Sequence, residues 1–338
     1  MEELLQKAIK ENEETKKALN SVPWKPDQPH PQPYHAFNSS KQQWEPKTPQ
    51  NTSSTGPGIN RLALYSWNID FMLPFAKARM DAALAHLEET LTRRLPAATA
   101  AVVFLQECVA EDLATIGEKA WVRDRFHVTD VDGASWAARY GTATLVDRRL
   151  DVARCFRVHY AKTNMQRDAF FVDVKLGGGG GSKSGKTIRL CNTHLESLAR
   201  KPALRPAQMQ LAATYMHARG VDGALAAGDF NAIQPFDRTL HSDNGLKDAY
   251  LELGGKEDSE DGYTWGQQAA TTSRNRFGCT RMDKVYFTGG VKLLGFARFG
   301  ADVMLTGREH THSLDMLGFD KPWITDHLGV MAEVEVVE

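Results

Sequence analysis

The chain has 338 residues, 42% hydrophobic and 25% charged, with a formal net charge of −1. That is ample for a real core, and it excludes a protein that coats nucleic acid by bulk electrostatics while leaving room for a local basic patch. Cys108, Cys155, Cys191 and Cys279 are widely spaced with no C-x-x-C pair, which fits unpaired thiols in a reducing compartment and not a disulfide framework or zinc site. No segment approaches the ~18 apolar residues of a membrane span, and the N-terminus carries no apolar leader. An intracellular protein is expected, in nucleus or cytoplasm, with no membrane partner.

In chain order, residues 1–18 carry a charge-rich helical pattern with little apolar face. Residues 21–60 hold eight of the fourteen prolines, together with many Gln, Ser, Thr and Asn. Residues 1–60 therefore read as a largely disordered arm whose aromatic residues Trp24, Tyr34, Phe37 and Trp44 offer a motif for a protein partner. The folded domain is expected over 61–338. Leu62 to Trp67 is strand-like, and Pro74 then opens a helix whose Met80, Leu84, Leu87, Leu91 and Leu95 recur at helical spacing. The run 101–105 reads as a buried strand. Further strands are expected at 126–131, 142–146, 154–160, 169–176, 187–193, 224–228, 283–288, 291–299 and 329–336. The glycine-rich GGGGGSKSGK between two of them reads as a hairpin insertion and not a phosphate loop, because no helix follows it. A second helix is predicted from about Pro206 to Arg219, and 254–280 reads as polar loop. Many strands and few helices predict an α/β fold: two packed, mainly antiparallel sheets flanked by helices, four layers in all.

Polar clusters fall at the ends of the apolar strands: Trp67-Asn68-Ile69-Asp70, Gln106-Glu107, Asn192-Thr193-His194-Leu195-Glu196-Ser197, Gly228-Asp229-Phe230-Asn231, Arg281-Met282-Asp283 and Thr325-Asp326-His327. In extended geometry Asp229 and Asn231 share a face and converge on one cation or water. Glu107, with Asn68 and Asp326, offers the hard oxygen ligands Mg²⁺ prefers. A His held by a second carboxylate is fixed in tautomer and biased to its charged form. Together these suit metal-assisted phosphodiester hydrolysis. His310-x-His312 reads as a rim loop before a metal pair.

Asn68, Glu107, His194, Asp229-x-Asn231, Asp283 and Asp326-His327, in this order, resemble the endonuclease/exonuclease/phosphatase superfamily, and within it the tyrosyl-DNA phosphodiesterase 2 family. Thr163-Asn164-Met165-Gln166-Arg167, Tyr263-Thr264-Trp265 and Ser313-Leu314-Asp315-Met316-Leu317-Gly318 agree with the same family. The resemblance implies a DNase I-like fold and a Mg²⁺-dependent enzyme, with Mn²⁺ a substitute. Its reaction would be cleavage of a 5′-phosphotyrosyl adduct, left by a trapped topoisomerase, from a DNA end with a single-stranded overhang. It implies Glu107 as principal metal ligand with Asp326 and Asn68, Asp229 and Asn231 orienting water, and His194 and His327 stabilising the transition state, His327 held by Asp283. Ser197 and Trp265 would line the substrate groove, and Asn68 and Arg167 join the substrate-binding set. A monomer acting in DNA repair is expected. Two family arginines are missing, at Ala199 and Ile233. That leaves other substrates of the same chemistry (an abasic site, RNA or a small phosphoester), or a weakly catalytic binding module, as alternatives.

Overall fold

The structure, a computed structural model, describes residues 22–49, 59–177 and 185–337, together with Gln6, Lys7 and Lys10. The strands are β1 (Pro29–Pro31), β2 (Tyr34–Asn38), β3 (Gln43–Lys47), β4 (Arg61–Asn68), β5 (Thr99–Val109), β6 (Phe126–Val128), β7 (Tyr140–Asp147) and β8 (Asp151–His159). They continue with β9 (Asp168–Leu176), β10 (Lys186–Thr193), β11 (Gly223–Asp229), β12 (Lys247–Asp248), β13 (Asp283–Gly289), β14 (Val291–Phe299) and β15 (Gly329–Val336). One sheet runs β1-β8-β9-β10-β11-β13-β12, the other β14-β15-β4-β5-β7-β6-β2-β3. Among the described residues only β4–β5 and β10–β11 pair in parallel; the other pairs are antiparallel.

Strand alternation sorts the apolar side chains into layers. Leu62 and Leu64 of β4 face inward and pack with Phe104, Phe170, Val172, Leu190 and Leu225 between the sheets. Their neighbours Ala63, Tyr65 and Trp67 face outward, onto Met80, Leu84, Leu87 and Leu91 of the helix Ala76–Arg94. On the opposite outer face, Phe156, Phe171 and Cys191 meet Met209, Ala212 and Met216 of the helix Arg205–Met216. Each fully buried Leu, Phe, Val or Met among them contributes about 1.5–3 kcal/mol. The result is the expected four-layer α/β sandwich.

Beneath the strand ends the two sheets are also joined by polar groups. Gln106 Nε2 donates to Asn192 Oδ1 (2.8 Å), and Asn192 Nδ2 donates to the Ala143 carbonyl (3.0 Å). These two polar members of the strand-end clusters are therefore fully buried cross-links.

Residues 22–49 correct the expectation of a disordered arm. β1 pairs with β8 as the edge of its sheet, while β2 and β3 extend the other sheet beyond β6. An edge strand tolerates Pro29 and Pro31 because their missing N–H groups face no further strand. Trp24 stacks on His159 at 4.1 Å, Phe37 meets Trp44 edge-on at 5.4 Å, and Trp44 Nε1 donates to the Gly117 carbonyl (3.2 Å). The segment has too few apolar residues for a core of its own, but it docks on one already formed. The rest of the arm, including the 1–18 helical pattern apart from Gln6, Lys7 and Lys10, lies outside the described residues, as does 178–184 of the glycine-rich insertion. The helices Ala110–Glu118, Ala120–Arg125, Thr271–Phe277 and Arg308–Met316 were not anticipated, and the last carries His310 and His312 in place of the expected rim loop. The four cysteines are unpaired. Among the described residues no helix is long and apolar enough to cross a membrane.

Candidate active site

The parallel pairs β4–β5 and β10–β11 end on the same side of the sandwich, and their antiparallel neighbours β13 and β15 begin there. Asp229 closes β11 directly opposite Asp283, which opens β13. Thus Asn68, Glu107, His194, Asp229, Asp283, Asp326 and His327 meet beside one cavity of ≈ 730 Å³.

Gly228 makes this approach possible. It lies inside β11 with φ at 151°, and a Cβ there would stand 1.7 Å from the Thr193 carbonyl oxygen, so only glycine lets β11 lie this close to β10. The chain leaves the extended path at Asn231, whose φ is 48°. Asp229 and Asn231 are therefore not two residues of one extended face. Asn231 Nδ2 donates to the Leu195 carbonyl (3.0 Å) and its backbone N–H to Asp229 Oδ1 (2.8 Å), although both residues line the cavity.

His327 Nδ1 bonds Asp283 Oδ2 at 2.8 Å, while its Nε2 lies 3.8 Å from Asp229 Oδ2 and 3.7 Å from Asp326 Oδ1. Burial alone would lower the His327 pKa, but the charges of Asp283, Asp229 and Asp326 outweigh it and hold the imidazole protonated, well above its ordinary value. His194 is the opposite case. Burial, then the Arg167 guanidinium, hold it neutral and lower its pKa. Arg167 Nη1 lies 2.5 Å from His194 Nδ1. Because a guanidinium only donates, Nδ1 accepts and the ring proton sits on Nε2, 3.2 Å from Asp229 Oδ2. Burial tends to raise the Asp229 pKa, but the two histidines together pull it below the usual carboxylate range.

Two expected substrate-binding residues are placed differently. Asn68 uses both ends of its amide internally: Nδ2 donates to Asp229 Oδ2 (3.0 Å) and Oδ1 accepts from the Asp70 N–H (2.9 Å). It does not line the cavity, and it holds Asp229 in place. Arg167 is also buried behind the wall, bonding His194 and Ser197 Oγ (3.1 Å) over the Tyr140 ring. Ser197 and Trp265 do line the cavity, Trp265 donating from Nε1 to Asp326 Oδ2 (2.6 Å).

Asp70 is the site residue that sequence reasoning left without a role, although it stands in the quoted Trp67-to-Asp70 stretch. It is buried, lines the cavity and has an unpartnered Oδ2. Burial, and then the charges of Asp326 and Glu107, raise its pKa well above the carboxylate range. Burial and Glu107 likewise raise Asp326. Three mutually repelling carboxylates with one orphan oxygen suit a hard divalent cation. A second group, Asp229, Asp283 and His327, also brings donor atoms within 4.8 Å of one another. In that group His327 Nδ1 bonds Asp283 Oδ2 and Asn68 bonds Asp229 Oδ2, while Asp283 Oδ1, like Asp70 Oδ2, is buried without a partner.

The 69–73 and 324 loops that carry these groups are clamped by Arg79, another residue missed from sequence. It is fully buried, and its guanidinium donates to the carbonyls of Ile324 (2.9 Å), Leu73 (3.1 Å), Pro74 (2.9 Å) and Ile69. Glu196 serves structure too, accepting from Thr163 Oγ1 (2.7 Å) and the Asn164 N–H (3.0 Å).

Residues 65–327 match the Endonuclease/Exonuclease/phosphatase family. A 5′-tyrosyl-DNA phosphodiesterase of Caenorhabditis briggsae is 26% identical over 245 residues, 71% of this chain and 63% of that protein. The chain thus spans less than two thirds of this relative. Truncated TDP2 of Caenorhabditis elegans superposes with a TM-score of 0.59 at 23% identity, covering 82% of this chain and 98% of that one. D. rerio TDP2, in complex with a single-strand DNA product, gives 0.58 at 18% identity, covering 82% and 99%. These likenesses establish the fold. On the family match over most of its length, the chain belongs to the Endonuclease/Exonuclease/phosphatase family of hydrolases.

Proposed function

We propose that the protein is a divalent-metal-dependent phosphodiesterase that hydrolyses the bond between a tyrosine and the 5′-phosphate of a DNA end. The observation that carries this is the pairing, at one strand edge, of a protonated His327 anchored by Asp283 with an ionised Asp229 beside three cavity carboxylates. The similarity to a 5′-tyrosyl-DNA phosphodiesterase supports the substrate.

Asp229, held by Asn68 and the Asn231 N–H, orients the attacking water. Lying below the usual carboxylate range, it is a weak base, so its part is to fix the water and keep His327 charged. His327 donates from Nε2 to a phosphate oxygen and stabilises the charge that grows there, while neutral His194 directs its Nε2–H to Asp229 and holds that carboxylate. A water oxygen bonds to phosphorus, the tyrosyl oxygen leaves as a phenolate of pKa ~10, and the water proton passes to solvent. Glu107, Asp326 and Asp70 would hold the cation, Mg²⁺ with Mn²⁺ as substitute, which when bound neutralises phosphate and leaving-oxygen charge. The setting we propose is DNA repair by an intracellular monomer, at a 5′ end with a single-stranded overhang.

The test is a substrate panel in Mg²⁺ and in EDTA, with wild type and Glu107→Ala side by side. Cleavage of a 5′-phosphotyrosyl oligonucleotide should require both the cation and Glu107. Preference for an internal abasic site, or cleavage unchanged in Glu107→Ala, overturns the proposal.

A further inference from the structure

Above its acidic floor the cavity has an apolar wall. Leu198 and Ile233 stand on two separate loops, and both line it. Leu198 is 37% exposed and has φ of 70°, a conformation that is costly for leucine, by about 1–3 kcal/mol. One buried ion pair holds both loops. Arg205 bonds Asp237 through two hydrogen bonds, Nε to Oδ1 (2.8 Å) and Nη2 to Oδ2 (2.7 Å). Its Nη1 donates to the Leu198 carbonyl (2.9 Å) and the Glu196 carbonyl (3.0 Å). Asp237 Oδ2 in turn accepts the N–H groups of Ile233 (3.0 Å) and Gln234 (2.8 Å). A single Arg–Asp pair thus fixes the backbone on both sides of the wall, and the exposed leucine is presented by design of the local bonding, not by a loose loop.

The charge along the wall has the same meaning. Among the described lining residues Arg276 is the one Lys or Arg, against Asp70, Glu107, Asp229 and Asp326. A nucleic-acid strand that runs through a groove is normally tracked by several cationic side chains, each phosphate neutralised adding to the salt dependence of binding. The volume of ≈ 730 Å³ lies within the ~300–1,000 Å³ of sites for compact ligands.

We infer that Leu198 and Ile233, locked together by Arg205 and Asp237, form a specificity wall that selects an apolar or aromatic group beside the scissile phosphate and leaves the strand beyond it unread. The inference rests on the proposed phosphodiesterase site. Leu198 and Ile233 are the specificity-determining residues; Arg205 and Asp237 are positioning residues.

The test is equilibrium binding in Mg²⁺ of phenyl phosphate, methyl phosphate, and 5′-phosphorylated DNA of two lengths, a dinucleotide and an oligomer of about twenty nucleotides. Phenyl phosphate should bind about tenfold more tightly than methyl phosphate, reflecting burial of its ring. The two DNA lengths should bind within about threefold of each other, with a log–log salt slope no steeper than about −1. Leu198→Ser should reduce the phenyl preference to about threefold or less, and Ile233→Arg should steepen the salt slope by about one unit. Equal binding of phenyl and methyl phosphate, or a tenfold gain with DNA length, overturns the inference, and both are read on wild type whatever the variants' stability. Cleavage of 5′-phosphotyrosyl DNA is assayed in parallel. Its failure alongside a retained phenyl preference sinks the proposed substrate and not the wall.

Discussion

Replacing Arg79 with methionine removes a buried cation and leaves four carbonyls facing an apolar chain. Each of its hydrogen bonds comes from a charged donor, for which a net contribution of about 1.5–3 kcal/mol is usual. Four such bonds to Ile69, Leu73, Pro74 and Ile324 therefore gross roughly 6–12 kcal/mol. Against this stands the cost of taking a guanidinium out of water, several kcal/mol, which methionine avoids. The expected net loss is about 3–5 kcal/mol, a large part of the roughly 5–15 kcal/mol that holds a domain together. Urea denaturation reads it directly as a lower midpoint. Arg79→Lys, which cannot reach all four carbonyls, should fall between. A loss below about 1 kcal/mol in Arg79→Met would mean that burial and bonding of the cation cancel, and that the loops are held by something else.

Asp283→Asn keeps the shape beside His327 but removes the charge that holds it protonated; kcat should fall by about 10²–10⁴-fold in steady-state assays with KM little changed, and a loss under about threefold refutes the anchoring role of Asp283. Asp70→Asn removes one of three repelling carboxylates, so the metal-free protein should melt no lower than wild type while the Mg²⁺ half-saturation point rises about tenfold, both read by thermal shift across a Mg²⁺ titration. His159 is buried beside Trp24 with neither ring nitrogen bonded, and burial, then the Arg157 charge, lower its pKa to about 3. The folded value lies below the unfolded ~6.5, so the unfolded chain binds the proton first and stability falls as pH drops; between pH 7 and 5 this one group should account for about 2 kcal/mol, and His159→Gln should lose that much less over the same range in urea titrations.

The layered core was legible because it follows local rules. Leu62 and Leu64 alternate with Ala63 and Tyr65, and the two outer helices carry apolar residues at helical spacing, so faces could be assigned before the partners were known. The site clusters were legible for a related reason: a buried strand that ends in several polar groups needs a purpose for them. What stayed hidden depends on non-local partners. Nothing within 21–60 says that its prolines meet Val158 and Phe156 across a sheet edge. Nothing within the Thr163-to-Arg167 stretch says that Arg167 turns inward to His194.

The division of labour inside the site was hidden for a sharper reason. Side chains alternate strictly only while the backbone stays extended. At the ends of β4, β5 and β11 it does not: Asp70, Glu107 and Asn231 have φ of 55°, 57° and 48°. Glu107 sits where the β5–β7 register shifts between Leu105 and Cys108, so a bulge re-aims it at the end of the site. With Leu198, four of the nine described non-glycine residues of positive φ line the one cavity. Each such residue costs about 1–3 kcal/mol and persists only where the surroundings over-determine it. Here the surroundings are named: the Phe71 N–H on Glu107, the Asn68 amide on Asp70, the Leu195 carbonyl on Asn231 and Arg205 on Leu198. Asn68 and Asp70, two residues apart, would share a face on a regular strand, yet Asp70 lines the cavity and Asn68 stays behind it. The backbone leaves its regular path where the chemistry needs carboxylates turned out of the pleat, and that departure, repeated at three strand ends, separates the residues that line the cavity from those that hold them.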